Sequence, residues 1–186
     1  MTERIGETGR DRASGAPETP EAKARARALR LLARMEKSRR GLSRVLARAG
    51  FPRPVIETVL DDLERRGFVD DRRFTRLWLS SQVRARPRSL RLLRRDLLRE
   101  GVAPGIIEEG LREVAREYPE PALAEAAARK KLRPAGADPA RLARLLAARG
   151  FAAAVVQDAL RAVLGDDVSG DHDEWVRDDP EHDAEP

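Results

Sequence analysis

The sequence contains no cysteine among its 186 residues. This absence excludes disulfide bonds, thiolate nucleophiles and zinc sites built on cysteine. Aromatic residues make up only 4% of the chain, so a hydrophobic core must come mainly from leucine, valine and alanine. No apolar run approaches the roughly 18 residues of a membrane span, and the chain does not open on an apolar signal segment. We therefore expect a cytoplasmic protein that makes no membrane contact.

Residues that commonly carry catalysis are also scarce. The only histidines, His172 and His182, lie in an acidic segment near the end of the sequence. The chain has no glycine-rich phosphate loop, no cluster with metal-ligand spacing and no nucleophile with a base close by. The sequence therefore predicts a protein that is not an enzyme and needs no cofactor or metal.

The net charge of +5 hides a strong segregation of charge along the chain. Residues 25–165 carry 32 basic and 17 acidic side chains, whereas residues 166–186 carry ten acids and one arginine. A basic body suits a polyanionic partner, and an acidic tail would compete for the same surface. Only four of the 37 bases are lysine, which is typical of a GC-rich genome, so codon usage explains part of the arginine count.

Three segments of the sequence resemble one another, and each is centred on a glycine. They are LARAGFPRPVIETVL around Gly50, LLREGVAPGIIEEGL around Gly101 and LAARGFAAAVVQDAL around Gly150. Leucine stands four and eight residues before each glycine, and two β-branched residues stand five and six residues after it. So many matches at one register indicate an internal repeat.

Each repeat reads as three helices, because apolar residues recur at three- and four-residue steps on both sides of the glycine. The glycine fits the position that follows the middle helix, where a left-handed backbone excludes most other residues. Asp138 fits a cap ahead of Pro139, and Asp70 with Asp71 fits a cap at the start of the fourth helix. The predicted helices cover residues 22–36, 40–49, 53–66, 71–86, 89–100, 104–117, 121–131, 139–149 and 152–164.

The predicted fold is all-α, with three tandem three-helix repeats that form an elongated, curved array. The repeats span residues 22–69, 70–118 and 119–165. Residues 1–21 and the acidic tail at 166–186 lack an apolar period, and we expect both to be disordered. Phe74 and Trp78 stand four residues apart on one predicted helix, and we expect them in the core and not on a base-stacking platform.

The middle helices of the first two repeats carry a basic stripe. In the second repeat, the leucines and the arginines of the stretch RSLRLLRRDLLRE occupy different faces of a helical wheel, so the arginines face away from the core. The same wheel positions in the first repeat are basic, whereas those of the third repeat are mostly alanine. The basic stripe comprises Lys37, Arg40, Arg44, Arg48, Arg88, Arg91, Arg95 and Arg99. Arg84 and Arg86 precede the helix and complete the candidate anion-binding or filament-binding set.

Two interpretations of the basic stripe remain open. In the first interpretation, the stripe is a functional surface that faces an anion. In the second, it serves solubility and pairs with acids of the neighbouring third helices. Those acids are Glu57, Asp61, Asp62, Glu64, Glu108, Glu109, Glu113 and Glu117. Nothing in the pattern reads base edges, so an anion-facing surface predicts little sequence preference.

These features together resemble the bacterial regulatory protein RecX family, which comprises modulators of the recombinase RecA. The resemblance covers residues 25–165. Its most specific parts are the ALRLLAR start at 28–34, the SRRGL segment at 38–42 and the GFVDDRRF junction at 67–74. Gly41 stands where the family commonly has an acid, and Pro87 stands where it usually has a basic residue followed by glycine.

The resemblance implies a non-catalytic regulator of DNA repair, homologous recombination and the SOS response. Such a protein binds RecA and its filament on single-stranded DNA, and it inhibits ATP hydrolysis, strand exchange and co-protease activity. We expect a monomer, with direct and non-specific DNA contact as a further property. A winged helix-turn-helix transcriptional regulator is the alternative interpretation, with residues 53–66 as its recognition helix. The acids of that segment, and the helical pattern that follows Val69, weigh against it.

Overall fold

The computed structural model describes residues 19–131 and 138–165, so the predictions for residues 1–18 and 166–186 lie outside the described residues. The described chain contains nine α-helices and no β-strand, in agreement with the predicted all-α class. The helices are α1 (Pro20–Leu32), α2 (Arg39–Arg48), α3 (Arg53–Arg65), α4 (Asp71–Ala85), α5 (Leu90–Arg99), α6 (Pro104–Glu117), α7 (Glu120–Arg129), α8 (Pro139–Ala148) and α9 (Ala153–Leu164).

The helix bounds agree with the predicted ones within two residues, except at the end of α1. Helix α1 begins earlier than predicted because Thr19 caps it: the Thr19 hydroxyl accepts a hydrogen bond from the N–H of Ala22, and Pro20 occupies the first turn. The helix ends at Leu32, four residues before the predicted end. Beyond Leu32 the side chains bury no apolar face, and Met35 is 59% exposed.

The three repeat glycines end the middle helices as predicted. The φ angles of Gly50, Gly101 and Gly150 are 85°, 79° and 83°, a region that residues with a Cβ rarely occupy. In each case the residue after the glycine donates its N–H to the carbonyl of the leucine four residues before the glycine, with N–O distances of 3.2–3.3 Å. This is the Schellman arrangement, and it supplies partners for carbonyls that the helix leaves unpaired.

The middle helices also begin alike. Ser38, Ser89 and Asp138 occupy equivalent positions before α2, α5 and α8, and each side chain accepts a backbone N–H of the first turn. The two serines are almost completely buried, at 1% and 0% exposure. The cap predicted at Asp138 is confirmed, and so is the one at Asp70, which accepts the N–H groups of Arg72 and Arg73.

The described chain divides into two compact units, one ending at Val69 and the other beginning at Asp70. In the first unit, α1 and α2 pack against α3 around leucines, valines and alanines that are at most 3% exposed. In the second unit, helices α4 to α9 share one continuous core, so the second and third repeats are packed together. The predicted elongated, curved shape stays a prediction.

Candidate anion-binding surface

The first part of the surface is the α2 stripe, which consists of Arg40, Arg44 and Arg48 on the helix together with Lys37, which precedes the cap Ser38 and so lies outside the helical period. Arg40 and Arg48 are exposed, and Lys37 and Arg44 are half-buried. The opposite face of α2 carries Leu42 and Leu46, which are fully buried in the first unit. The spacing of three and four residues therefore separates the cationic face of α2 from its apolar face, as the helical wheel predicts.

The acids of α3 are neutralised mainly by bases outside the α2 stripe. The guanidinium of Arg39 lies 2.7 Å from Asp61, 2.7 Å from Glu64 and 3.0 Å from Glu57. Burial lowers the pKa of Arg39, but its hydrogen bond to Asp61 and the other two carboxylates outweigh burial and hold this pKa above its ordinary value. One arginine that points from the start of α2 across to α3 thus occupies three of the four acids that were expected to compete for the stripe.

The fourth acid of α3, Asp62, is occupied by other arginines. Its carboxylate lies 3.1 Å from Arg25 of α1 and 3.0 Å from Arg66 at the end of α3. In the part of the chain that the structure describes, Arg40 and Arg48 have no carboxylate partner. The pairing interpretation therefore does not account for these two stripe residues.

The second part of the surface is the α5 stripe, which consists of Arg91, Arg95 and Arg99. All three side chains are exposed, while Leu93 and Leu97 on the other face are fully buried. Two of the four acids of α6 pair with bases outside the stripe, since Glu108 lies 2.6 Å from Arg94 and Glu109 contacts Arg72.

One carboxylate lies within the α5 stripe itself. Asp96 is 3.4 Å from Arg95 and 3.9 Å from Arg99, and its side chain is 21% exposed. A single acid among several arginines orients their guanidinium groups without neutralising them, so the face keeps a net positive charge. The wheel identified the arginines but gave no role to Asp96, because a lone acid in a basic stretch carries no periodic signal.

The structure corrects the predicted orientation of Arg88. The wheel extended the helix back to this residue, but α5 begins at Leu90 and Ser89 is its cap, so Arg88 lies outside the helical period. Its guanidinium lies 2.6 Å from Asp96 and 2.9 Å from the side-chain oxygen of Gln82, and 5.6 Å from the ring centre of Trp78. With 24% of its side chain exposed, Arg88 belongs to the interior side of the stripe.

Arg84 and Arg86 lie at the end of α4 and are both exposed. The side-chain hydrogen bond between Arg84 and Tyr118 raises the pKa of Arg84 above its ordinary value. Arg86 follows the last residue of α4 and donates its backbone N–H to the carbonyl of Gln82. Arg84 therefore lies in the last turn of α4 and Arg86 in the connection that leads to α5, on the same unit as the α5 stripe.

The third repeat carries little of this charge. Ala140 and Ala148 occupy two of the equivalent stripe positions on α8, and Arg144 is the exposed base that remains. Ala137 lies outside the described residues. The α2 stripe and the α5 stripe belong to different compact units.

The two aromatic residues of α4 lie at the core of the second unit, as predicted. Phe74 is buried, and Trp78 is partly buried against the core of the second unit, with Arg88 over its ring. Residues 71–85 form helix α4 at the point where a winged helix-turn-helix protein requires a β-hairpin.

Among the described residues, no group of three or more acids or histidines is arranged to hold a metal ion. No described helix combines the length and the apolar character that crossing a bilayer demands.

Comparison with known proteins assigns the first repeat and most of the second to one family. The family model for RecX, first three-helix domain, matches residues 24–63, and the model for RecX, second three-helix domain, matches residues 70–111. The regulatory protein RecX of Treponema pallidum is 38% identical over 133 residues, which cover 72% of this chain and 80% of that protein. The regulatory protein RecX of Halorhodospira halophila is 36% identical over 149 residues, which cover 77% and 89%.

A solved structure shares the fold. The crystal structure of RecX from Lactobacillus salivarius superposes with a TM-score of 0.63 at 13% identity, covering 77% of this chain and 96% of that one. The first matched domain covers most of α1 to α3, and the second covers α4, α5 and the first half of α6. These domains include α2 and α5, the helices of the two stripes. On the sequence identity to its relatives and the two matched domains, this chain belongs to the RecX family of regulatory proteins.

Proposed function

We propose that this chain is a non-catalytic, cytoplasmic, monomeric regulator that binds the RecA recombinase and its filament on single-stranded DNA. Binding inhibits ATP hydrolysis, strand exchange and co-protease activity, and so restrains recombination and the SOS response. The chain uses the α2 stripe and the α5 stripe, together with Arg84 and Arg86, to contact DNA phosphates or acidic protein surface. Family membership supports the partner, and the exposure of the two stripes supports the surface.

The observation that carries the proposal is the separation of two kinds of arginine. Arg39, Arg94 and Arg72 bind the acids of the third helices, whereas Arg40, Arg48 and Arg91 are exposed and lack a carboxylate partner in the described ranges. Exposed arginines on one helix face suit a polyanion, since each guanidinium donates to phosphate or carboxylate oxygens in a planar, bidentate manner. Arg88 is left out of this contact set because its two terminal guanidinium nitrogens already contact Asp96 and Gln82, and its Nε is buried.

Stripe contacts with phosphate predict a defined salt dependence. Each arginine that replaces a counterion on single-stranded DNA contributes about −0.7 to the slope of log K against log salt concentration. Six to eight engaged bases would give a slope of about −4 to −6. Contacts with phosphate carry no sequence information, so binding should depend little on the sequence of the strand.

The test is the single-strand-DNA-dependent ATPase activity of the cognate recombinase, measured with the chain and with a charge-reversed variant. Changing Arg91, Arg95 and Arg99 to glutamate together should abolish inhibition, because the α5 stripe then repels anions. The matched control changes Arg112, Arg116 and Arg141 to glutamate, which alters the net charge equally on exposed positions of the same unit. Full inhibition by the α5 variant, or an equal loss in the control, would reject the stripe as the working surface.

A further inference from the structure

Residues 84–89, which comprise the last two residues of α4 and the connection to α5, carry three of the candidate arginines. Several of their backbone groups are held by the third repeat. Lys130, which directly follows α7, donates to the carbonyl oxygens of Arg84 and Ala85, at 3.2 Å from the latter. These carbonyls belong to the last turn of α4 and have no partner within the helix, so a lysine there satisfies them and complements the helix dipole.

The end of α8 holds the centre of the same connection. The guanidinium of Arg149 donates to the carbonyl oxygen of Pro87 at 3.2 Å, and the backbone carbonyl of Arg149 accepts the N–H of Ser89 at 3.0 Å. Burial lowers the pKa of Arg149 from its ordinary value, so this cation is withdrawn from water to make the contact. These two hydrogen bonds fix the path of the connection on either side of Arg88.

Two further contacts fix the start of α5. The carboxylate of Glu120, at the first turn of α7, accepts the N–H of Leu90 at 3.2 Å. Gly150 packs so closely on the start of α5 that a Cβ there would lie 2.5 Å from the Ser89 hydroxyl and 2.6 Å from the Leu92 side chain. Gly50 occupies the equivalent position of the first repeat with nothing within 4 Å of such a Cβ. Gly150 therefore combines its left-handed turn with a packing role that Gly50 does not have.

We propose that the third repeat is a brace: Glu120, Lys130, Arg149 and Gly150 position residues 84–89 and the start of α5, and thereby set the arrangement of the α5 stripe. This inference rests on the proposed function, because the surface that is positioned is the one proposed to bind the filament. It gives the third repeat a role that agrees with its composition, since α8 lacks most of the stripe charge. The four brace residues are positioning residues and make no contact with the filament.

The link from the brace to the stripe runs through Arg88. This residue lies within the braced connection, and its guanidinium contacts Asp96, the acid that also lies near Arg95 and Arg99. Moving the connection would move Arg88 away from both Asp96 and the ring of Trp78. The emission of Trp78 should therefore report the position of the connection without any ligand.

Replacing Glu120 distinguishes the brace from a simple effect of charge, because the two predict opposite changes in the affinity for the filament. Glu120→Ala removes a negative charge, so charge alone predicts tighter binding to a polyanionic filament. The brace predicts binding weaker by about three- to tenfold, since the loss of the hydrogen bond to Leu90 loosens the start of α5. Glu120→Gln keeps an acceptor and should restore most of the affinity. Glu125→Ala is the matched control, because Glu125 lies on the same helix and pairs only with Arg129 among the described contacts.

Gly150→Ala tests the packing contact without changing charge. Gly50→Ala is its control: both residues follow a middle helix with nearly the same φ, so the backbone strain is matched and only the clash with α5 differs. Circular dichroism establishes that each variant is folded at the assay temperature. If Gly150→Ala does not fold, Glu120→Ala carries the test.

The experiment uses the full chain with Trp175→Phe, so that Trp78 is the only tryptophan. Binding is followed by the anisotropy of a fluorescein-labelled oligo-dT strand coated with RecA. The brace predicts that Glu120→Ala and Gly150→Ala shift Trp78 emission to longer wavelength and weaken binding, while Glu125→Ala and Gly50→Ala do neither. Unshifted emission in the folded brace variants would overturn the brace. Shifted emission with unchanged binding would overturn its link to the stripe.

The proposed function fails in a different way. If the parent chain does not bind the filament at all, while the emission shifts of the two brace variants persist, the proposed surface is wrong and the structural brace stands.

Discussion

Arg88 and Arg91 are three residues apart, both are arginines, and the structure predicts opposite consequences for their replacement. Arg88 donates to Asp96 and Gln82 and covers Trp78, with about a quarter of its side chain exposed. Arg91 is exposed and has no carboxylate partner in the described ranges. Arg88→Gln should therefore lower stability with little effect on the salt slope, and Arg91→Gln should lower the slope with little effect on stability.

The size of the stability loss follows from the contacts of Arg88. A hydrogen bond to a charged partner contributes about 1.5–3 kcal/mol, and a cation–π contact contributes about 0.5–1 kcal/mol at a partly exposed site. Glutamine keeps part of the packing, and Asp96 retains Arg95 and Arg99 nearby, so we expect a net loss of about 2 kcal/mol. For a unit of this size, that loss lowers Tm by about 8–16 °C.

Two measurements on the same pair of variants check the prediction. Thermal unfolding gives the stability difference, and filament binding at several salt concentrations gives the slope. Arg91→Gln should reduce the magnitude of the slope by about 0.7 and leave Tm within about 2 °C of the parent. A slope change in Arg88→Gln equal to that in Arg91→Gln, with Tm unchanged, would refute the division of the arginines into interior and surface groups.

Two other predictions concern the charged segments of the chain. Asp70→Ala should cost about 1 kcal/mol of stability at pH 7, because the carboxylate caps α4. The N–H of Arg73, and then that of Arg72, lower the pKa of Asp70 in the folded chain against the opposing effect of burial. The difference between parent and variant in the free energy of unfolding should thus be constant at pH values well above the ordinary carboxyl pKa and shrink as the pH falls through the lowered pKa; a difference that does not shrink on acidification would contradict the cap. Deleting residues 166–186 removes ten acids and should tighten binding to single-stranded DNA at low salt, and weaker binding would make the tail a contact and not a competitor.

Much of the fold was predictable because helix ends carry local chemistry. The left-handed glycine after each middle helix and the caps at Asp70 and Asp138 depend on residues close in sequence, and the structure confirms each of them. The start of α1 was missed even though Thr19 and Pro20 form a cap of the same kind, since the apolar period there begins only later.

The part of the surface that could not be predicted depends on long-range contacts. Arg39 and Arg40 are neighbours in a basic run, and only the position of α3 shows that Arg39 binds three acids while Arg40 faces outward. The inward Arg88 likewise depends on Gln82 and Trp78 of the preceding helix. The brace joins residues 30 to 62 positions apart, a separation at which side-chain pattern carries no signal.

The central claim is that the α2 and α5 stripes bind the recombinase filament together. Its most direct test is the salt-dependent affinity for that filament of three variants, with glutamine replacing the bases of the α2 stripe, of the α5 stripe or of both. Each single-stripe variant should weaken binding and lower the magnitude of the slope. The expected reduction is about 2.8 for the four bases of the α2 stripe and about 2.1 for the three bases of the α5 stripe. The third variant should show both reductions combined. Unchanged affinity and slope in either single-stripe variant would contradict the claim.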